Sequence, residues 1–160
     1  MNRTDFSSAL KIIKNPAKLA LAVMAIPDGG FNLITLEWFM RTSIQPPMFA
    51  ISIGHSRFSY DCLQKERFFN LCFPSQGMAD AVEICGTISG RDQDKFILTK
   101  LEWFKGRLAG LPIIKSAVAN FECRTITQVQ SGDHTIYIGE VKYSWSSPEK
   151  KLLLLENLTI

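Results

Sequence analysis

The chain has 160 residues, of which 46% are hydrophobic and 21% are charged, and its formal net charge is +3. This length suits one globular domain with a core of its own and argues against two domains. The lysines and arginines are scattered, with no cluster longer than Lys150-Lys151, which argues against a nucleic-acid-binding surface.

The first part of the chain predicts a short helix and then a β-hairpin. Residues 5–14 carry apolar side chains at spacings of four and three, which predicts a helix that ends before Pro16. Residues 19–26 and 31–39 are largely apolar and flank the turn signal at residues 27–30, so they predict two paired strands.

The rest of the chain predicts mainly short strands. Further strands are predicted at residues 48–53, 68–73, 113–127, 134–145 and 151–158, with helices at residues 59–64 and 74–85. Ser75 would be the N-cap of the second of these helices, and residues 86–112 are expected to contain loops. Many short strands with few helices predict a mainly β domain, either a barrel or a sandwich. A doubly wound sheet would need long helices between its strands.

The cysteines and the chain ends predict a cytoplasmic protein without a metal site or a membrane segment. The four cysteines form no Cys-x-x-Cys pair, and neither histidine lies at a metal-ligand spacing from them. The first residues, MNRTDFSSALK, lack the apolar segment of a secretory signal. The apolar run at residues 152–155 is far shorter than the ~20 residues that a membrane helix needs. Free cysteines are typical of a reducing compartment.

Familiar nucleotide-binding and hydrolase motifs are absent from the sequence. It contains no G-x-G-x-x-G after a strand, no G-x-x-x-x-G-K-[ST] loop and no G-x-S-x-G elbow. A nucleotide-like cofactor would therefore need a different fold.

The strand predicted at residues 31–39 carries side chains that could contact a ligand. Asn32 and Trp38 would share one face of this strand, and Thr35 would lie on the other. Polar groups at a strand edge can bind a flat heteroaromatic ring, and an indole can line its pocket. The same pattern also fits a strand with a solvent face and a tryptophan in the core.

Two later segments also allow both a functional and a structural interpretation. Arg57 offers a planar set of donors for a phosphate, and Ser59 adds a hydroxyl at the start of a helix, where free N–H groups favour an anion. Equally, Arg57 could be a surface arginine beside a helix cap. Gly132-Asp133-His134 is typical of a hairpin turn, and His134 could also contact a ligand.

The order of several longer segments resembles the flavin reductase-like, FMN-binding split-barrel family, which includes flavoredoxins and flavin reductase components. The resemblance covers residues 16–141. Its landmarks are NLITLEW (32–38), SIQPP (43–47), ISIGHSRFS (51–59), ICGTISGRDQDKF (84–96), ANFECR (119–124) and GDHTIYIGEV (132–141).

This resemblance implies a Greek-key split β-barrel with a few short helices, a homodimer, and a flavin mononucleotide (FMN) groove near the dimer interface. It implies that Asn32 and Thr35 lie near the flavin and its ribityl chain, and that Arg57 and Ser59 hold the phosphate. The expected cofactor-binding residues are Asn32, Thr35, Trp38, Ser43, Ser52, Ile53, Arg57, Ser59, Cys72 and His134. Ser43, Ser52 and Ile53 would line the isoalloxazine ring, and residues 89–92 would form a loop near the site.

Cys72 departs from the family pattern. Many relatives carry Asn in a strand ending VNLPS, where this chain reads Phe69-Asn70-Leu71-Cys72-Phe73-Pro74-Ser75. A thiol donates and accepts hydrogen bonds poorly compared with an amide. Cys72 is therefore either a weak flavin contact or a core thiol.

The activity implied by the resemblance is hydride transfer from NAD(P)H to the flavin, with NAD(P)H as co-substrate. The cofactor performs this chemistry while the protein supplies orientation and excludes water. His134 is the one catalytic candidate, through hydrogen bonding. Two alternatives remain open at this point. One is an FMN-containing electron carrier, or a reductase acting on ferric iron or a partner protein. The other is a flavin-binding module without turnover.

Overall fold

A computed structural model describes residues 19–158, so the helix predicted at residues 5–14 lies outside the described residues. Within this range the strands are β1 (Ala20–Ala25), β2 (Phe31–Leu36), β3 (Phe39–Ser43), β4 (Met48–Gly54), β5 (Phe68–Phe73), β6 (Trp103–Lys105), β7 (Pro112–Ile114), β8 (Ala119–Ser131) and β9 (His134–Ser146). The helices are α1 (Phe58–Lys65), α2 (Ala79–Thr87) and α3 (Lys95–Thr99), with 3₁₀ turns at Gln76–Met78 and Leu155–Asn157. No helix in the described range is long and apolar enough to cross a membrane.

Seven of these strands form one antiparallel sheet in the order β2-β1-β5-β8-β9-β4-β3. The two edge strands, β2 and β3, are consecutive in the chain and are joined by the short bend at Glu37-Trp38. At this bend the Ser52 amide donates to the Trp38 carbonyl at 2.9 Å. The sheet therefore curls until its edges approach each other without pairing, which confirms a mainly β split barrel.

Strand β1 lies at the centre of the core because both of its faces are covered. Ala20, Ala22 and Met24 belong to a buried cluster inside the curled sheet, which also receives Cys62 and Leu63 of α1. The alternate residues of β1, Leu21 and Val23, belong to a second cluster between the sheet and α2, here called the outer core cluster. Burial on two faces explains why this strand is continuously apolar in sequence.

Two strands predicted as continuous are each interrupted. The segment at residues 31–39 divides into β2 and β3, because the chain leaves one edge of the sheet at Glu37 and joins the opposite edge at Phe39. The segment at residues 113–127 divides into β7 and β8, where a turn joins the Ala117 amide to the Ile114 carbonyl at 3.3 Å. Hydrophobic alternation continues across both breaks, which hides them from a pattern-based prediction.

The strand predicted at residues 151–158 is wrong. This segment forms isolated bridges at Leu152, which pairs with Ser75, and at Leu154, and then a 3₁₀ turn. Its leucines are buried by packing on the outer core cluster rather than by pairing in a sheet: Leu153 is 1% exposed, and Leu155 and Leu158 pack beside it.

The helix predicted at residues 74–85 begins later than expected. Ser75 occupies the N-cap of the 3₁₀ turn, but its side chain makes no capping hydrogen bond, and α2 runs from Ala79 to Thr87. The region at residues 86–112, expected to contain loops, also includes α3 and β6.

Candidate functional site

A cleft opens where the edges of the curled sheet approach each other beneath α2. Its first part, here called the apolar compartment, has a volume of about 380 Å³. The side chains and backbone that line it are mostly apolar: Leu19, Ile34, Thr35, Leu36, Glu37, Trp38, Ser52, Ile53, Gly54, Arg57, Val82, Glu83, Gly86, Thr87, His134, Leu155 and Leu158. Strand β2, the bend at Glu37-Trp38, the end of β4, α2 and the C-terminal segment all contribute.

The second part, here called the polar compartment, continues the cleft and has a volume of about 220 Å³. It is lined by Asn32, Ile34, Thr35, Ser56, Arg57, Phe58, Ser59, Cys85, Gly86, Thr87, Ile88, Ser89, Gly90, Arg91 and Lys95. Ile34, Thr35, Arg57, Gly86 and Thr87 border both compartments. The two are therefore parts of one cleft, with a mainly apolar end and a polar, cationic end.

Thr35 holds the junction between the compartments in place. Its hydroxyl donates to the Val82 carbonyl of α2 at 2.5 Å, which ties the edge of the sheet to the helix above it. A Cβ at Gly86 would lie 3.4 Å from Thr35 Cβ, so α2 passes close to the strand at this point.

Asn32 forms the inner wall of the polar compartment. Its side chain is buried, and its amide Nδ2 donates to Ser59 Oγ at 2.8 Å, which joins β2 to the first turn of α1. Gly90 packs directly against this amide: a Cβ at Gly90 would lie 2.1 Å from Asn32 Oδ1 and 3.0 Å from Phe58 Cδ1. The loop between α2 and α3 can therefore cover the compartment because residue 90 has no side chain.

Lys95 brings a buried positive charge to the polar compartment. Its Nζ donates to the carbonyls of Leu33, at 2.6 Å, and Cys85, at 2.9 Å, and the residue is 5% exposed. Burial lowers the pKa of Lys95 from its ordinary value, an effect that the nearby Cys85 opposes and Arg57 reinforces. An anionic ligand beside this ammonium group would favour its charged form.

Arg57 stands where the two compartments meet. It precedes α1 as the N-cap residue, and its amide donates to the Gly54 carbonyl at 3.0 Å. Its side chain is exposed and forms no ion pair within residues 19–158. The first N–H groups of a helix also have no acceptor inside the helix, so the guanidinium and the start of α1 favour an anion at the same place.

Trp38 and His134 form the mouth of the apolar compartment. Their rings lie 4.6 Å apart between centroids, tilted by 37°. Asp133 Oδ1 accepts a hydrogen bond from His134 Nδ1 at 2.7 Å, and this hydrogen bond lowers the pKa of Asp133. A Cβ at Gly54 would come within 3.3 Å of His134 Nε2, so the imidazole packs closely over the end of β4.

The structure brings most of the predicted cofactor-binding residues into this cleft. Those that line it are Asn32, Thr35, Trp38, Ser52, Ile53, Arg57, Ser59 and His134. Ser43 does not: it pairs with Met48 at the opposite end of the β3–β4 hairpin from Gly54. Cys72 does not either, because it is fully buried in the outer core cluster and pairs with Leu21.

Several lining residues were missed by the sequence analysis. Asp94 caps α3 by accepting hydrogen bonds from Phe96 N at 2.8 Å and Ile97 N at 3.2 Å, which places Lys95 at the first helical position. An Asp followed by a short apolar run is a recognisable helix-start signal, but nothing in the local pattern indicates that the lysine is buried. Leu155 and Leu158 were missed because their segment was predicted to be a strand.

The four cysteines are free, buried thiols. Within residues 19–158, no group of three or more His, Cys, Asp or Glu side chains could hold a metal ion. Burial raises the pKa of Cys62 and of Cys85 from 9.0 to about 11 in each case, and it raises those of Cys72 and Cys123 further.

These raised thiol pKa values predict that the protein loses stability in alkali. Above pH 9 the unfolded chain releases thiol protons that the folded chain keeps, so the free energy of unfolding falls as pH rises. The slope is about 1.4 kcal/mol per pH unit for each thiol. The lowered pKa of Lys95 acts in the opposite direction, but it is a single group. Urea unfolding between pH 8 and 11 measures the effect, and a constant or rising free energy of unfolding would contradict it.

Comparison with known proteins assigns the chain to a family. Residues 16–157 match the sequence model of the flavin reductase like domain, and the chain therefore belongs to the flavin reductase-like family. An uncharacterised protein of Archaeoglobus fulgidus is 31% identical over 110 residues, which cover 69% of this chain and 62% of that protein. The chain thus spans about three fifths of the length of this relative.

Two other similar proteins have a described activity or ligand. An FMN reductase (NADH) of Agrobacterium fabrum is 28% identical over 140 residues, which cover 88% of this chain and 75% of that protein. A crystal structure of an FMN-binding protein from Thermus thermophilus with bound p-hydroxybenzaldehyde is 30% identical and has a TM-score of 0.76. That match covers 84% of this chain and 74% of the other.

Proposed function

We propose that the protein is a flavin reductase that binds FMN and transfers a hydride to it from NAD(P)H. The observation that carries the proposal is the division of one cleft into a mainly apolar compartment and a polar, cationic one. FMN has the matching division, with a flat ring system at one end and a phosphate at the other. Membership of the flavin reductase-like family supports the same assignment.

The polar compartment fits the phosphate and the ribityl chain. Arg57 supplies a guanidinium without a carboxylate partner in the described range, and Lys95 supplies a buried ammonium group. Hydrogen bonds between ionised groups are stronger than neutral ones, and the low dielectric of a partly buried site strengthens them further. Asn32 and Ser59, held together at 2.8 Å, would contact the ribityl chain and the phosphate.

The apolar compartment fits the isoalloxazine ring. Ile53, Val82 and the leucines of the C-terminal segment supply apolar walls, and Thr35 and Ser52 supply hydroxyls at the edge. When bound, the flavin supplies the redox chemistry, accepting a hydride from a reduced nicotinamide. The residues of this chain orient the ring and exclude water from one of its faces.

His134 is proposed to position the reacting rings rather than to transfer a proton. Its side chain is 24% exposed at the mouth of the apolar compartment, where a nicotinamide would enter. Asp133 binds one ring nitrogen at 2.7 Å and so fixes the imidazole, while Trp38 provides a flat surface beside it. Nε2 is the nitrogen left to donate or accept a hydrogen bond with a ligand.

Oxidation of NADH and NADPH with and without added FMN tests the proposed activity. We expect the purified protein to oxidise one or both nicotinamides, and FMN to be required for it. Protein that binds FMN but oxidises neither nicotinamide would contradict the reductase proposal. It would instead favour the electron carrier or the binding module.

We also propose that the protein acts as a homodimer through the outer face of β3, β4 and β9. Trp38, Met40, Ala50, Ser52 and Ile136 line an apolar groove of about 260 Å³ on this face, among them Trp38 and Met40, which are 60% and 61% exposed. Exposed apolar patches of this kind are typical of protein–protein interfaces. Since Trp38 lines both the groove and the apolar compartment, the interface would adjoin the cleft.

Molar mass by light scattering tests the dimer. We expect the wild type to be dimeric and Met40→Asp to be monomeric. Ile97→Asp should remain dimeric, because Ile97 is 73% exposed but lies on α3, away from the groove. A monomeric wild type would contradict the proposal.

We also propose that the protein lies in the cytoplasm, because its four free thiols agree with a reducing compartment.

A further inference from the structure

We propose that Arg91 and Asp61 form a latch across the polar compartment that favours a flavin ending in a single phosphate over a dinucleotide flavin. The inference rests on the proposed function, because it assigns the ligand of the same cleft more narrowly. Neither Arg91 nor Asp61 belongs to the expected cofactor-binding residues.

The side-chain guanidinium of Arg91 contacts the wall opposite its own loop. Its Nη2 lies 2.5 Å from Asp61 Oδ2, and its Nη1 donates to the Ser56 carbonyl at 3.2 Å. Its guanidinium carbon lies 5.6 Å from the centre of the Phe58 ring. Arg91 follows α2, whereas these partners lie in or just before α1. The side chain therefore bridges the two walls that enclose the polar compartment.

The loop that carries Arg91 is itself held in place. The Arg91 amide donates to Ser89 Oγ at 3.2 Å, and the Asp92 amide donates to the Ser89 carbonyl at 3.2 Å. Next to it, Gly90 packs against Asn32 with no space for a side chain. The latch thus starts from a compact turn rather than from a free loop.

The three cationic side chains that line the compartment differ in whether they have a carboxylate partner. Arg91 is already paired with a carboxylate, whereas Arg57 and Lys95 have no ion-pair partner among residues 19–158. The latter two are therefore the cations available to a phosphate. Arg91 acts on the ligand indirectly, by joining the walls, and is a positioning residue.

A closed bridge limits what can extend from the ligand's phosphate. The compartment is small, at about 220 Å³, and a terminal phosphate needs no exit beyond Arg91. A second phosphate with its attached nucleoside would have to pass between the two walls that Arg91 joins. Because both latch side chains are about half exposed, their pairing is weak and can open. We therefore expect a preference rather than an absolute selection.

The test compares the affinities for FMN, FAD and riboflavin in the wild type and in Asp61→Asn. This variant removes the carboxylate partner while keeping the size of the side chain. We expect the ratio of FAD affinity to FMN affinity to rise roughly two- to fivefold, and the dissociation of FMN to become faster by a similar factor. Riboflavin affinity should not change. Glu102→Gln is the matched control, since it breaks an exposed ion pair with Lys115 that lies outside the cleft.

Arg91→Gln separates the latch from a direct phosphate contact. The latch predicts the same rise in the FAD-to-FMN ratio as in Asp61→Asn. A collapse of FMN affinity in Arg91→Gln, with Asp61→Asn unchanged, would overturn the latch and make Arg91 a phosphate ligand. An unchanged ratio in both variants, with normal FMN binding, would overturn the latch alone. A wild type that binds no flavin would overturn the proposed function and the latch with it.

Discussion

Replacing Arg57 with alanine is expected to weaken FMN binding by about 1.5–3 kcal/mol, or roughly ten- to a hundredfold. Arg57 stands at the junction of the two compartments, precedes α1 and has no ion-pair partner in the described part of the chain. The loss reflects a charge-assisted hydrogen bond to the phosphate. Quenching of flavin fluorescence during a titration measures it.

Two controls separate the phosphate contact from other effects of removing Arg57. Riboflavin has no phosphate, so Arg57→Ala should change its affinity by less than a factor of about three. Arg124→Ala removes an exposed arginine of β8 that lines neither compartment, and it should leave FMN binding unchanged. Unchanged FMN affinity in Arg57→Ala would show that this guanidinium does not hold the phosphate.

Replacing Gly90 with alanine is expected to damage the polar compartment directly. The added Cβ would lie 2.1 Å from Asn32 Oδ1, which real structures do not allow, so the loop or the amide must move. Asn32 is buried and holds Ser59 at 2.8 Å, so its movement breaks the inner wall. Overpacking of this kind costs about 1–3 kcal/mol of stability. We expect a comparable loss in the free energy of FMN binding, about fivefold or more in affinity.

Gly77→Ala is the matched control for this substitution. A Cβ at Gly77 would meet Ser75 Oγ at 4.0 Å, an ordinary contact, and Gly77 lies in the 3₁₀ turn outside the cleft. The melting temperature and FMN affinity should fall in Gly90→Ala and stay near wild type in Gly77→Ala. A Gly90→Ala protein with wild-type FMN affinity would show that the loop does not need to approach Asn32.

The parts of the fold that local chemistry determines were predictable from the sequence. The Gly29-Gly30 turn between β1 and β2 has φ values of 110° and 84°, which a glycine adopts without strain. The alternation in β2 predicts that Asn32 and Thr35 lie on opposite faces of the strand. In the structure Asn32 lies on the inner face and Thr35 on the face toward α2.

The breaks and ends of strands could not be read from the same patterns. Trp38 continues the alternation of β2 in sequence, yet it follows the bend and is 60% exposed. It is therefore not a core residue, and it lines the apolar compartment from the bend rather than from strand β2. The bend exists because the curled sheet brings its two edges together, and that is a property of the whole sheet. Likewise, Leu153 and Leu155 are apolar because they pack on the outer core cluster, and this burial does not depend on pairing in a strand.

The candidate site was predictable mainly through the family resemblance and less from the residues alone. Arg57 and Ser59 each had an ordinary structural interpretation until the cleft brought them together. Lys95 shows what the sequence hides, because a lysine is normally exposed and its burial depends on carbonyls from β2 and α2. Ser43 and Cys72 show the reverse, since both lie outside the cleft of the single chain.

The central claim is that one cleft binds a flavin, with the ring in the apolar compartment and the phosphate in the polar one. Titration calorimetry of the wild-type protein with FMN and with riboflavin tests it most directly. The account predicts micromolar or tighter binding of one FMN per chain, and riboflavin binding at least ten times weaker because it lacks the phosphate. Equal affinity for the two would contradict the phosphate assignment, and no binding of either would contradict the site itself.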